Sequence, residues 1–463
     1  MRTLRNYWVA RGVWAAAALA LVVGVALLLA AARGAIAARE SHGPVRQRGV
    51  ARAIAAWRRA GTLLKKYRPL VIRRGGTYRG IFASGNPAVP AVSIRTRQPV
   101  TIADSTIAGR GNLIVAAVPG CHVVVRNCRG YGLNPNVRGR VPGRFFSGES
   151  CASVVLKNNT LAHTAGIYLL NFQGGPAAPA PTLEVLRNDA IDIDGRKSNG
   201  HGGFLPFDIR VRMVHGKAVP QRGFRNRQFL QLDKVRHVPH VNIAWNQVIN
   251  QPGHSRVEDN ISIYKSSGTR ASPIRIHDNY IQGAYNIRPW MPAKLGKKRR
   301  DGWRYKWPYT GGGIMLGDGK TRRPATAPAY VIAYHNQIVS TTNYGIAISA
   351  GHDLTMRNNR IISCGHLPKG KKIADQNVGA YVWDEQHERA LHPPVFYNNS
   401  GSGNLIGWQK AHGRNDWWTP GTTKWKHNRH WPGPLTLRTE AAERRRWRRK
   451  LKKRHVLVGV AGG

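Results

Sequence analysis

Four segments in the second half of the chain share a pattern that would place chemically active side chains in one column. Each segment opens with Gly or Asn, alternates apolar residues with small or polar ones, and ends at a sixth position. The segments are Asn260–Lys265, Gly313–Asp318, Gly345–Ala350 and Gly379–Asp384. An earlier copy, Gly166–Asn171, ends on Asn171. A lysine and two carboxylates in one column could perform acid–base chemistry on a bound polymer.

A hydrolase would use the two carboxylates of this column. If consecutive segments stack at roughly 4.8 Å, Lys265 lies one spacing from Asp318, and Asp384 lies two spacings, roughly 10 Å, from Asp318. Tilted side chains would bring the two carboxylates into the range of about 6.5–9.5 Å that inverting glycosidases use. One aspartate would then be the general acid and the other the base.

A lyase would use the same place differently. β-Elimination on a uronate needs a base for the C5 proton and a cation that holds the carboxylate. His352 follows the third segment and is the better base, because Asp318 would keep Lys265 charged. Lys265, or an arginine from an inserted loop, would then be the cation. The residues leave both chemistries open, and they equally allow Lys265 and Asp318 to form a plain ion pair on a solvated face.

Side chains beside the column are predicted to bind the substrate. Tyr264 and Trp383 each stand one position before the column and could form a platform for sugar rings. Lateral packing on a surface strand would explain both aromatics equally well. Asp259 precedes the first segment and Asn171 ends the earlier copy, and we predict that both bind substrate. The sequence predicts no metal and no cofactor.

A second motif, in which an apolar pair is followed by Asn, alternates with the first. Its last asparagines are Asn127, Asn159, Asn188, Asn246, Asn279, Asn336 and Asn359. Two of the spacings are nearly twice the others, which predicts a coil with a weak signature in each gap. Gln228–Leu232 is one candidate for such a coil.

These elements predict an all-β fold, a single-stranded parallel β-helix. Period-2 alternation is typical of strands with one buried face, and none of the short repeats could bury its apolar side alone. Stacking coil on coil pairs each strand in parallel with its equivalent one coil away. An asparagine repeated at a turn could bond the asparagine of the next coil, and it tolerates the left-handed backbone of a sharp corner.

Over about residues 77–408 the chain resembles the right-handed parallel β-helix proteins of the pectate-lyase-like superfamily. The runs Glu258–Thr269 and Gly311–Asp318 resemble a bacterial subgroup of such proteins. The resemblance implies a right-handed solenoid. It also implies lyases, hydrolases, epimerases or esterases of acidic polysaccharides, or non-catalytic binders. The run Asn199–Gly202 resembles the Gly-His-Gly of polygalacturonases, but only Asp192 and Asp194 precede it, in a different arrangement.

The segments that flank the repeats predict location. Residues 1–37 contain the apolar run 13–32 after three arginines, which predicts either a cleaved signal peptide or a signal anchor with a membrane-spanning helix. The rest of the chain would then be exported to the cell envelope, periplasmic or extracellular. Residues 38–76 are predicted to be a linker and cap, residues 77–408 the β-helix, and residues 409–463 a Trp-rich and basic extension. Residues 444–454 would form either a helix on a membrane or acidic polymer, or a solvated helix that caps the body.

The charge and the cysteines limit the partners. The net charge of +50 implies attraction to polyanions, and export favours an anionic polysaccharide or cell-envelope glycan over nucleic acid. Cys121 and Cys151 could form a disulfide between neighbouring coils or remain buried thiols. We therefore expect an exported or membrane-anchored protein that acts on an acidic polysaccharide as a lyase or glycoside hydrolase. The alternative is a non-catalytic glycan-binding or envelope scaffold protein.

Overall fold

Parallel strands form the body of the protein. The computed structural model describes residues 54–173, 183–215, 217–290, 310–374, 376–410 and 412–460. Within these residues three sheets, A, B and C, contain 11 strands each. Along the chain the strands come in the repeated order A, B, C, and each triplet forms one coil. The architecture is therefore that of the predicted parallel β-helix.

The strands are numbered in chain order. Sheet A consists of β1 (Leu70–Ile72), β4 (Val92–Ile94), β7 (Ile114–Ala116), β10 (Phe146–Glu149), β13 (Ile167–Leu170), β18 (Leu230–Asp233), β21 (Asp259–Tyr264), β24 (Gly312–Asp318), β27 (Tyr344–Ile348), β30 (Val378–Val382) and β33 (Trp417–Trp418). Sheet B consists of β2 (Gly76–Tyr78), β5 (Val100–Ala103), β8 (His122–Arg126), β11 (Ser153–Lys157), β14 (Leu183–Leu186), β19 (Val241–Ala244), β22 (Ile274–His277), β25 (Ala329–Tyr334), β28 (His352–Arg357), β31 (Ser400–Ser402) and β34 (Lys424–Lys426).

Sheet C consists of β3 (Ile81–Ser84), β6 (Thr106–Gly109), β9 (Arg129–Gly132), β12 (Thr160–Ala162), β15 (Asp189–Ile191), β20 (Gln247–Ile249), β23 (Tyr280–Ala284), β26 (Gln337–Thr341), β29 (Arg360–Ser363), β32 (Leu405–Trp408) and β35 (Arg429–His430). The antiparallel pair β16 (Ile209–Val214) and β17 (Lys217–Arg222) forms a hairpin. The helices are residues 54–60, α1 (Leu63–Lys66), α2 (Leu437–Lys453) and the 3₁₀ turns Pro324–Thr326 and Glu388–Ala390.

A ladder of asparagines joins the coils at the corner between sheets B and C. Its members are Asn159, Asn188, Asn246, Asn279, Asn336, Asn359, Asn404 and Asn428. Each side-chain amide donates to the side-chain oxygen of the next member at 2.8–3.0 Å. The predicted Asn–Asn bonding is thus confirmed for the motif asparagines from Asn159 onward. It is wrong for Asn127, because Cys128 occupies the ladder position in that coil and donates its N–H to Asn159.

The left-handed backbone lies one residue before the ladder. The residues concerned are Asn158, Arg187, Trp245, Asp278, His335, Asn358, Gly403 and His427, with φ of 54–65°. The expected left-handed asparagine is therefore confirmed for Asn127, with φ of 55°, and is wrong for the ladder asparagines. The left-handed residue turns the chain at the corner, and the asparagine that follows it is buried in seven of the eight coils. Because only the ladder position needs an asparagine amide, the position before it tolerates many residue types.

Insertions, not hidden coils, cause the two wide asparagine spacings. Strand β14 pairs directly with β19, and β22 pairs directly with β25, so the predicted extra coils are absent from the described residues. The first gap contains the β16–β17 hairpin, and Gln228–Leu232 contributes β18 to an ordinary coil. The coils also extend beyond the predicted bounds of 77 and 408, from β1 to an eleventh coil that ends at β35.

The described α-helices pack on the outer face of sheet C. Trp57 and α1 cover apolar residues of β3, β6 and β9 at one end of the sheet. Helix α2 covers β26 and β29, and the residues after α2 continue to β12, where Val460 N–H donates to Thr160. This C-terminal strap, residues 437–460, thus runs along the solenoid from the ninth coil to the fourth. The outer faces of sheets A and B are not covered by these helices.

The predictions about residues 1–37 and about the cysteines differ in their outcome. Residues 1–37, with the predicted signal or anchor, lie outside the described residues. Within the described part of the chain, no helix combines the length and the apolar character that crossing a membrane requires. Cys121, Cys128, Cys151 and Cys364 are buried free thiols, so the Cys121–Cys151 disulfide is not formed.

We expect Asn279→Ala to lower the free energy of unfolding by about 2–4 kcal/mol. The change removes the amide that bonds Asn336 and the Ile243 carbonyl, and it orphans two buried donors of Asn246. Urea denaturation followed by circular dichroism would measure the loss. Asn226→Ala, at an exposed loop position, is the matched control and should change stability by less than about 0.5 kcal/mol. Equal midpoints for the two variants would contradict a stabilising ladder.

We expect Trp447→Ala to detach the strap. The indole is buried, lies 5.4 Å from the Tyr280 ring and donates to the Asp278 carbonyl. Its truncation should cost about 3–5 kcal/mol. Limited trypsin digestion should then cut the basic helix α2 much faster than in the parent protein. Leu457→Ala, which truncates a largely exposed side chain, should leave the digestion rate unchanged. Equal rates for all three proteins would show that Trp447 does not hold the helix.

Candidate functional site

The four aligned segments lie on consecutive strands of sheet A, as their pattern predicts. Ile261 pairs with Ile314, Ile314 with Ile346, and Ile346 with Ala380, and all four side chains point into the core. The alternate positions therefore face outward. One outward row runs Ser262, Met315, Ala347, Tyr381 and Trp418. The outer face of sheet A thus brings distant parts of the chain into one surface.

An extra residue in β24 shifts the predicted charge column. The step from Ser262 to Tyr264 on β21 corresponds to the step from Met315 to Asp318 on β24, so Asp318 pairs with Tyr264 rather than with Lys265. Lys265 has φ 47° and stands at the left-handed corner after the strand. The Lys265 N–H still donates to the Asp318 carbonyl at 3.0 Å. The two residues are neighbours, but they occupy different positions on the coil.

Gly319 follows this irregularity and is required there. Its φ is +89°, and a Cβ would lie 2.5 Å from the Tyr264 ring. The Gly319 N–H donates to Asp318 Oδ1 at 2.6 Å. The glycine therefore lets Tyr264 lie flat against the turn and helps to hold the Asp318 carboxylate.

The Asp384 carboxylate caps a turn. Its two carboxylate oxygens accept from the backbone N–H groups of Glu388 and Arg389 at 2.8 and 2.9 Å. Such a carboxylate stabilises the 3₁₀ turn Glu388–Ala390 and is poorly placed to exchange protons with a substrate. The next residue, Glu385, lies on the same outer side and is a better candidate for the second carboxylate.

His352 is not brought together with Lys265 and Asp318. It begins β28 of sheet B, where its ring stacks on Tyr397 at 4.6 Å between centroids. One ring nitrogen lies 2.7 Å from Asp353 Oδ2 and the other 3.3 Å from the Pro324 carbonyl. Both nitrogens are thus occupied within the protein, and the geometry gives His352 a packing role at the corner.

The predicted aromatic residues do lie on the outer face of sheet A. Trp383 is 38% exposed and its ring centroid is 5.4 Å from that of Trp418, which is 47% exposed. The pair forms an exposed aromatic platform in the last coils. Tyr264 lies three coils before Trp383 and four before Trp418, with the Lys265 ammonium 5.3 Å from its ring centroid. Both positions suit stacking against sugar rings.

Asn171 belongs to the same column of corners as Lys265. Its φ is 57°, and its N–H donates to the Asp233 carbonyl at 3.0 Å. Its side-chain amide donates to Glu149 Oε1 at 3.3 Å. The residue lies at the edge of the outer face, away from the main group of carboxyls.

Asp259 is the most perturbed carboxyl group of this face. It begins β21, is buried, and accepts a hydrogen bond from the Tyr344 hydroxyl. Burial raises the pKa of Asp259 well above its ordinary value, and the adjacent Glu258 and the nearby Asp318 add to the rise. A carboxyl group in this environment keeps its proton at pH values where most aspartates have lost theirs.

Asp318 and Glu385 form a second pair past the other end of the strands. Burial raises the pKa of Asp318, and Glu258 adds to the rise, while the Gly319 N–H and Lys265 oppose it. Partial desolvation raises the pKa of Glu385, and Asp318 contributes. Burial raises the pKa of Tyr381 well above its ordinary value, and the nearby Glu385, Asp259 and Asp318 add to the rise. Perturbed titratable groups on one face are typical of functional sites.

Two arginines without carboxylate partners stand earlier along the same face. Arg144 precedes β10 and lies 4.3 Å from the Tyr168 ring centroid, while Arg227 precedes β18 and has a buried Nε without a partner. Within the described residues neither guanidinium lies within 4.0 Å of a carboxylate. The Arg227 carbonyl accepts from Glu258 N–H at 2.9 Å, so this cationic group adjoins the acidic patch.

Several of these residues escaped the sequence analysis. Tyr344 and Glu385 directly flank the aligned segments, and they could have been found by examining the neighbours of each segment. Arg144 and Arg227 could not, because only the long insertion before β18 brings Arg227 to this edge. The run Asn199–Gly202 lies in that insertion, where Asn199 Oδ1 accepts from His201 N–H, which is a turn and not a catalytic arrangement.

No family model matches the chain, and no curated protein matches it either. Within the described residues no group of three or more His, Cys, Asp or Glu side chains could hold a metal ion.

We expect Asp259→Asn to stabilise the protein increasingly as the pH rises. The raised pKa means that the folded state favours the neutral acid, so this contribution is present at low pH and is lost as the pH rises through the folded-state pKa. Asparagine keeps the acceptor for Tyr344 and cannot ionise. Urea denaturation from pH 5 to pH 9 would test this.

The control for that experiment is Asp104→Asn. Asp104 is exposed and its pKa is lowered by its hydrogen bonds to Asn127 and Arg79. The difference between Asp104→Asn and the parent protein should stay constant over the same pH range. A constant difference for Asp259→Asn as well would show that Asp259 ionises normally in the folded protein.

Proposed function

We propose that this protein hydrolyses a glycosidic bond of an acidic polysaccharide bound along the outer face of sheet A. The observation that carries the proposal is the buried, Tyr344-bonded Asp259, which shares its face with the Asp318–Glu385 pair. Glycosidases need one carboxyl group that keeps its proton and one that has lost it. Asp259 supplies the first, and Asp318 or Glu385 supplies the second.

The spacing favours inversion over retention. Asp259 and Tyr264 lie at opposite ends of β21, and Asp318 pairs with Tyr264, so the two backbones are roughly 16 Å apart along the strand. Side chains that lean toward each other would shorten this distance, but a retaining pair needs about 5–5.5 Å. An inverting pair leaves room for a water molecule, which the Asp318 or Glu385 carboxylate would activate.

The surrounding side chains suit an acidic polymer. Arg144 and Arg227 would hold carboxylates of sugar units on one side of the patch, because guanidinium groups that lack a carboxylate partner in the protein can bind one strongly. Trp383 and Trp418 would stack against sugar rings on the other side. Together these groups line a path along consecutive coils, as a linear polymer requires.

The same geometry weighs against the lyase that the sequence left open. Its base would be His352, which lies on sheet B with both ring nitrogens engaged. A non-catalytic glycan-binding protein is the second candidate, since Asp384 and His352 serve structural roles. Export through residues 1–37 and membership of the pectate-lyase-like superfamily are part of the proposal. So is right-handed winding, which parallel crossovers almost always adopt.

The test is an assay of uronate-containing polysaccharides. We expect new reducing ends without the absorbance of unsaturated uronates, and a bell-shaped pH dependence that falls as Asp259 ionises at higher pH. Asp259→Asn and Asp318→Asn should each lower kcat by at least about 10²-fold. Asp104→Asn makes the same charge change away from the face and should retain full activity.

Each of the other possible results of the assay would lead to a different conclusion. Unsaturated products would establish a lyase. Binding without any product would establish the glycan-binding protein. Full turnover by both Asp259→Asn and Asp318→Asn would show that the site is elsewhere.

A further inference from the structure

The outward side of helix α2 carries a continuous stripe of cations. Its exposed members are Arg438, Arg445, Arg446, Arg449, Lys452, Lys453 and, just after the helix, Arg454. Residues three and four apart lie on one side of a helix, so Arg445, Arg449 and Lys453 follow one another along the surface. None of these seven side chains forms an ion pair within the described residues.

The acidic and apolar residues of α2 all face the body. Glu440 accepts from Cys364 N–H at 2.8 Å, and Glu443 pairs with Arg360 and accepts from Gln337. Trp447 is buried against sheet C, and Leu451 packs beside it. In the described part of the chain, this segregation leaves no large apolar side chain fully exposed on α2 for insertion into a bilayer, and no carboxylate pairs with the outward stripe.

The stripe of cations destabilises α2 in the isolated protein. Like charges four residues apart destabilise a helix, and Arg445–Arg449 and Arg449–Lys453 are two such pairs. The inward contacts hold the helix in place against this repulsion. A surface that opposes its own stability in this way is typical of a binding site whose partner supplies the opposite charge.

The direction in which α2 runs indicates the shape of the partner. The strap runs along the solenoid from the coil of Cys364 to that of Thr160, so the stripe is parallel to the axis. A single row of cations matches a linear polyanion better than a broad membrane surface. It lies on the sheet C side, whereas the carboxyls and aromatics described above lie on sheet A.

We propose that the outward stripe of α2 binds a linear anionic polysaccharide, separately from the sheet A face. The inference rests on the proposed function only for the nature of the polymer. The stripe would hold distant parts of a long chain, and short oligosaccharides would use sheet A alone.

The test compares two triple variants of the full-length protein. Arg445→Gln/Arg449→Gln/Lys453→Gln removes three charges from the stripe and keeps good helix formers. The control, Arg73→Gln/Arg74→Gln/Arg97→Gln, removes three charges from exposed positions in the first coils. Binding of long polygalacturonate and of heparin is measured over a range of salt concentrations, with anionic phospholipid vesicles and duplex DNA as further probes.

We expect the stripe variant to bind the long polysaccharides about tenfold more weakly and with a shallower salt dependence, while the control stays near the parent protein. Any cleavage of short oligosaccharides should be unchanged, which separates this proposal from the sheet A site. Absence of all cleavage, with the binding difference intact, would overturn the proposed hydrolase and leave this proposal standing. Equal loss in both variants would show a mere net-charge effect. A selective loss for vesicles or DNA, without one for polysaccharide, would overturn the assigned partner.

Discussion

Hydrogen bonding between consecutive coils is the constraint on which the rest of the structure depends. Backbone pairing fixes the spacing, and the ladder from Asn159 to Asn428 fixes the rotation of one coil relative to the next. Each ladder amide satisfies backbone groups that a buried corner would otherwise leave without partners. Because the register is constant, residues more than a hundred positions apart, such as Asp259 and Trp383, lie on one face.

The site arises where the regular winding is interrupted. One extra residue in β24 turns Asp318 outward beside Tyr264 instead of leaving it at the corner. The strand starts at Asp259 and Tyr344 bring a buried carboxyl and a buried hydroxyl to the outer side, where they bond each other. A strictly repetitive solenoid would place only alternating small and polar residues on this surface. The irregular positions carry the side chains of the candidate site, and the regular positions form the β-helix that holds them.

The sequence predicted the parallel β-helix better than the candidate site, and the reason is physical. Columns such as Ile261, Ile314 and Ile346 recur because every coil must bury the same face, and such recurrence is visible in a single chain. A one-residue bulge changes no periodicity that a reader could recognise, so Asp318 was assigned to the column of Lys265. The capping role of Asp384 depends on a turn that forms only in three dimensions.

The strap also has a consequence for the order of folding. Residues 437–460 follow the described coils in the chain, yet they bind coils from the fourth onward. Stacked repeats can form progressively from one end, since each contacts only its neighbours. The coils can therefore assemble first, and the strap binds to them afterwards. A chain truncated before residue 437 would retain its winding but expose the apolar surface of sheet C that Trp447 covers.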